Sequence, residues 1–149
     1  MTENCTIYCT GPRPSIKECV RAIFTCTNVA EDGESLVIQG TGGTLRISSK
    51  KFEQQGDEFS RLVNTTCVHF EQIETTAQSA KARLIAHVEN TECILGVVAD
   101  PEFDADERFN QAVFAIAKAC DGVVFNGYEV LDQNGILLLD NDGKSESEN

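Results

Sequence analysis

Five carboxylates crowd one short stretch of this chain: Asp100, Glu102, Asp104, Asp106 and Glu107. Two such groups can act as general acid and base, or hold Mg²⁺ through oxygen. They follow the apolar run Cys93–Ala99, and α/β folds tend to bind ligands beyond the carboxyl ends of their strands. Asp100, Glu102 and Asp104 are therefore the candidate ligand-binding residues, for a small ligand or a metal-assisted hydrolysis. A plainer role competes with this one. Asp104 stands three residues before Glu107, a capping-box spacing, and Asp106 and Glu107 suit the positive end of the helix that follows. The stretch also lacks the Gly and terminal Glu of an EF-hand loop, and Asp140–Gly143 fails the same test.

The chain carries seven cysteines: Cys5, Cys9, Cys19, Cys26, Cys67, Cys93 and Cys120. Zinc sites want close Cys pairs repeated twice, and only Cys5 and Cys9 are closely spaced. On an extended strand those two share a face ~13 Å apart, too far for one ion. Cys19, Cys67 and Cys120 lie on or beside apolar stripes and Cys93 opens an apolar run, where a thiol acts as a small hydrophobe. There are two histidines, His69 and His87. In a helical hairpin turning at Thr75–Thr76 they are offset by ~7.5 Å along the axes, which disfavours a shared metal. Cys67 and His69, two apart on a helix, point away from each other. Little is left for a His-based triad. Gly40-Thr-Gly-Gly43-Thr44 lacks the Lys and the following helix of a phosphate loop, and reads as a hairpin turn. No catalytic residue, metal or cofactor is assigned, and the residues lean away from an enzyme.

The elements that must position these groups can be read from periodicity. Thr6–Cys9 predicts a strand ended by Gly11-Pro12-Arg-Pro14. Ser15 and Glu18 then form a capping-box pattern, with Ile16, Cys19, Val20, Ile23 and Phe24 on a helix that should stop near Asn28. Leu36–Ile38 and Thr44–Ile47 are strands. Phe59, Leu62, Val63, Thr66, Phe70 and Ile73 mark one helical face, capped by Asp57, and Ala77, Ala80, Leu84 and Val88 mark a second. Cys93–Ala99 suits a strand buried on both faces. Phe109, Ala112, Val113, Ile116 and Cys120 form the last helical stripe, while Phe114 falls on the opposite side and is the candidate interface residue. Gly122–Phe125, Val130–Leu131 and Ile136–Leu139 are strands, the last two flanking the turn Asp132–Gly135.

The order is strand–helix–strand–strand, a helical hairpin, then strand–helix–strand–strand again. This predicts an α/β (α+β) fold: a mixed sheet from two such units, which share a plan but little residue identity. Its 149 residues suit a single globular domain over 1–140, followed by an acidic, frayed tail over 141–149. A chain this long buries roughly 68–70% of its unfolded surface, so no metal or disulfide staple is required.

Twelve Lys and Arg face twenty-four Asp and Glu, a net charge of −12. That surface repels phosphate backbones and anionic headgroups, so neither nucleic acid nor a membrane is expected as a partner. No apolar run reaches the ~20 residues that span a bilayer. The first residues lack a secretory pattern, so the expected compartment is a cytoplasm with reduced thiols. The expected function is a non-catalytic protein-binding or regulatory domain, such as an immunity-type partner of a basic protein, or a homodimer through the Phe114 face.

The stretch Gly135–Glu146 resembles the C-terminal end of some small, uncharacterised bacterial proteins, and Ile94–Pro101 and Cys120–Phe125 add to the likeness. It covers about the last third of the chain, implies a bacterial origin and carries no activity.

Overall fold

The strand at the start of the chain alternates. Cys5, Ile7 and Cys9 enter one apolar cluster and Tyr8 enters another. Side chains of a strand point alternately to opposite faces, so this strand lies between two cores. A computed structural model of the protein describes residues 2–12, 14–25, 28–32, 35–49 and 56–146. In chain order its first elements are β1 (Glu3–Cys9), α1 (Ile16–Val20), β2 (Val29–Asp32), β3 (Ser35–Gln39), β4 (Thr44–Ser49) and α2 (Gly56–Glu71). There follow α3 (Gln78–Glu89), β5 (Cys93–Asp100), α4 (Arg108–Ala119), β6 (Gly122–Phe125), β7 (Glu129–Leu131) and β8 (Leu137–Asp140).

The strands form one sheet in the order β2-β3-β4-β5-β1-β6-β7-β8. The α+β class is as expected, but the sheet is antiparallel in every described pairing rather than mixed. Short hairpins make β2–β3–β4 and β6–β7–β8 antiparallel by necessity. β5, reached through two helices, also runs against both of its neighbours, β4 and β1. The two units share a chain order but not a pairing order: β5 adjoins the last strand of the first unit, whereas β1 adjoins β6, the first strand after α4.

Helices cover both faces. On one, α1 and α4 lay Val20, Phe109, Val113 and Ile116 against Ile7, Ile38, Leu45, Ile47 and Leu95. On the other, α2 and α3 lay Phe70, Leu84 and Val88 against Tyr8, Ile94, Val123, Val130 and Leu139. The second layer is tied by a hydrogen bond between the buried Tyr8 hydroxyl and Thr66 Oγ1 at 2.9 Å. No described helix is long and apolar enough to cross a membrane.

Four expectations are corrected. The first helix ends at Val20, not near Asn28, and Val29–Asp32 is a strand paired to β3. Edge pairing with Leu36–Ile38 satisfies this backbone where Thr25 and Asn28 are poor helix formers. Ser15 stands at the N-cap of α1 without a side-chain cap bond. Asp57 lies inside α2, which begins at Gly56, rather than ahead of it. Residues 141–146 are tied down rather than frayed. Asp140 Oδ1 accepts the N–H groups of Asp142 and Lys144, and Glu146 N–H donates to the Leu137 carbonyl along the outer edge of β8. Residues 147–149 lie outside the described residues.

Candidate functional site

The acidic stretch that ends β5 divides in two. Asp100, the last residue of β5, is exposed opposite Thr44, and Glu102 and Asp104 are exposed in the loop beyond it. The cavities described below are lined by other residues. Asp106 is different: it is buried and fully engaged. Its Oδ1 accepts the backbone N–H and Nε of Arg108 at 3.0 Å, and its Oδ2 accepts an Arg108 guanidinium N–H at 2.6 Å and Thr41 N–H at 2.9 Å. The bonds from the Arg108 side chain, then those from backbone N–H groups, hold its carboxyl well below the usual carboxylate range, against the opposing effect of burial. Asp106 therefore caps α4, the role the spacing assigned to Asp104. Glu107 occupies the N-cap position with no cap bond of its own. Arg108 also stacks over the Phe24 ring, 4.5 Å from its centroid.

The same carboxylate organises the glycine-rich turn. Gly40 N–H bonds Gly43 O at 2.8 Å, as a hairpin requires. The turn sits against the loop so closely that a Cβ on Gly43 would fall 2.2 Å from the Asp100 carbonyl oxygen. It is a packing device.

The histidines are held apart. His69 Nε2 bonds Asn141 Oδ1 at 3.0 Å, with its ring against Phe70 and Phe125, and His87 Nε2 bonds the Tyr8 carbonyl at 3.2 Å. Phe114 is half-buried against the α1–α4 core, and a Cβ on Gly135 would lie 4.0 Å from its ring. Its own domain thus covers part of that face.

The cysteines hold a feature that spacing did not show. The six described ones are all thiols. Cys9 and Cys93 are direct partners in the β1–β5 register. The Cys9 thiol hydrogen-bonds those of Cys120 and Cys93, and these bonds, with burial, push its pKa far up. Cys19 is raised too, by burial and then by Cys120. The convergence depends on β1 lying beside β5 with α4 above, which no local spacing encodes. Among the described residues, no group of three His, Cys, Asp or Glu is placed to hold a metal ion.

Three concavities are described. One, of about 200 Å³, lies between α3 and the β6 and β7–β8 segments and is lined by Arg83, His87, Asp121, Asp132 and Gln133 among others. It falls below the roughly 300 Å³ at which small-molecule pockets begin. A second, of about 500 Å³, is a mostly polar hollow lined by His69, Gln72, Ile73, Glu74, Asn141 and Asp142. The third is a groove of about 510 Å³ between α2 and α3. Phe59, Val63, Cys67, Val68 and Ile85 give it an apolar floor, and its charged lining residues are Glu71 and Glu89. Val68 is 46% exposed there. Burial, then the fields of Glu89 and Glu71, push the Cys67 thiol up, so the groove is electronegative. The sequence stripe found Phe59 and Val63 but read them as core. The signal it missed was Val68, an apolar residue on the side of α2 away from that stripe.

No protein-family model matches the chain. No curated protein and no solved structure matches it either.

Proposed function

We propose that this chain is a non-catalytic protein-binding domain that docks a basic segment of a partner protein, apolar on one face, in the groove between α2 and α3. The carrying observation is the groove itself: an apolar floor with an exposed Val68, bordered by Glu71 and Glu89. An amphipathic helix lays its apolar side into such a groove, and Lys or Arg on its flanks meets the two carboxylates. The net charge of −12 acts over longer range, steering a basic partner inward and raising the association rate at low salt. Catalysis is not part of this reading, because Asp106 and both histidines are engaged in holding the fold together.

A synthetic amphipathic helix, Leu on one face and Lys on the other, is the probe. Amide chemical-shift mapping on the labelled protein should place it along Ser60–Glu71 and Ile85–Glu89, with binding that weakens as salt rises. Val68→Lys, a change at an exposed position, should abolish it, and Glu71→Gln with Glu89→Gln should reduce its salt dependence. Shifts that map to another face, or unchanged binding by Val68→Lys, would overturn the proposal.

A further inference from the structure

The cluster at the end of the β1–β5 ladder has chemistry that docking does not use. Cys9 and Cys93 stand opposite each other on neighbouring strands, on the same face of the sheet. Directly opposed residues of an antiparallel pair have Cα atoms about 4.5–5.5 Å apart, inside the range that a disulfide spans. The Cys9 thiol interacts with that of Cys93, and also with that of Cys120. Access differs sharply. Cys9 and Cys120 are fully buried, whereas Cys93 is half-buried at the first position of β5, after the exposed Glu92.

We propose that Cys9 and Cys93 are an internal disulfide site, closed by reaction with a peroxide. The Cys93 sulfur, reached first from solvent, attacks one peroxide oxygen. The O–O bond breaks, water leaves, and Cys93 becomes a sulfenic acid. The Cys9 sulfur then attacks the Cys93 sulfur; the S–S bond forms, the S–O bond breaks, and a second water leaves with the Cys9 proton. Two thiols and one H₂O₂ give one disulfide and two H₂O, with the peroxide taking both electrons. Cys9 suits the second role. It is fully buried, so it does not meet the oxidant itself, and it stands opposite Cys93, where it captures a sulfenic acid before further oxidation and passes its proton to the departing hydroxyl. The bridge would join strands that the ladder already pairs, so it needs no change of register.

The test is on the full chain, folded, treated with hydrogen peroxide, then alkylated in denaturant and mapped without reduction. Chymotrypsin cuts after Tyr8 and trypsin after Lys17, so together they separate Cys9 from both Cys5 and Cys19. The expected result is the loss of two of the seven thiols and a single linked peptide pair carrying Cys9 and Cys93. Cys93→Ser should remove the bridge, and Cys120→Ser should keep it. A Cys9–Cys120 link, a Cys93 sulfinic acid without a bridge, or no thiol loss would each overturn the proposal. Wild-type mapping and Cys120→Ser decide it even if Cys93→Ser does not fold.

Discussion

The Asp106 carboxylate accepts the backbone N–H of Thr41 at 2.9 Å, joining the start of α4 to a hairpin turn 65 residues earlier. One side chain thereby caps a helix, pairs with Arg108 and fixes the β3–β4 turn. Asp106→Asn keeps one acceptor oxygen but turns an amide toward donors that it cannot serve. The expected cost is about 1.5–3 kcal/mol, as for hydrogen bonds to a charged group. Urea unfolding near neutral pH measures it.

The pH dependence of that cost has a defined sign. The folded-state pKa of Asp106 lies below its ordinary value. Its contribution is therefore fully present above the unfolded value, about 3.9, and is lost as pH falls through the lower folded value. In that window the unfolded chain binds the extra proton, so stability rises with pH. Wild-type protein should lose stability on acidification below about pH 4 more steeply than Asp106→Asn. Parallel acid limbs for the two would show that Asp106 is not the group responsible.

The carboxylates illustrate what a sequence reveals here. The long stripes from Phe59 and Phe109 were legible as α2 and α4, because burial of one face imposes the 3.6-residue period on the residues themselves. The capping role near residue 104 was legible as a need but not as a residue. The spacing pointed to Asp104, whereas the partners that select Asp106 are Arg108 and a backbone N–H on a distant turn. β2 escaped although Asp32-Gly33 is a hairpin dipeptide, because the preceding helix was expected to run on to Asn28, directly before Val29. The Cys9–Cys93 pairing and the α2–α3 groove both follow from strand and helix neighbours, which are non-local.

Two glycines test whether the residues after Asp140 are packed. Gly127 and Gly143 both have positive φ, 96° and 83°. A Cβ on Gly127 meets nothing within 4 Å, while one on Gly143 would fall 2.0 Å from the Glu74 carbonyl oxygen. Gly127→Ala should cost only the left-handed backbone, about 1–2 kcal/mol. Gly143→Ala adds a clash with the main chain of the α2–α3 turn, about 1–3 kcal/mol more. Thermal unfolding should rank Gly143→Ala clearly below Gly127→Ala; equal losses would mean that the segment does not pack on that turn.

The Tyr8–Thr66 bond should show the asymmetry between losing a bond and stranding a group. In Tyr8→Phe, Thr66 Oγ1 still donates to the Leu62 carbonyl, so the cost is about 0.5–1.5 kcal/mol. In Thr66→Val the Tyr8 hydroxyl stays buried without that partner, and the cost rises to about 1–3 kcal/mol. The double variant should then cost less than the sum of the two, by denaturant titration of all four proteins.

Cys5 sets an alkaline limit on the fold. Burial in the α1–α4 core pushes its thiol up to about 12. Above its ordinary pKa of about 8.5 the unfolded chain releases this proton while the folded chain keeps it. The unfolded state then binds fewer protons, so stability falls as pH rises, from about 8.5 until the folded thiol itself titrates. Cys5→Ala loses packing at every pH but is exempt from this penalty. Its deficit against wild type should therefore shrink by about 2 kcal/mol between pH 7 and about pH 10. A deficit unchanged over that range would show that Cys5 ionises as readily in the folded chain as in the unfolded one.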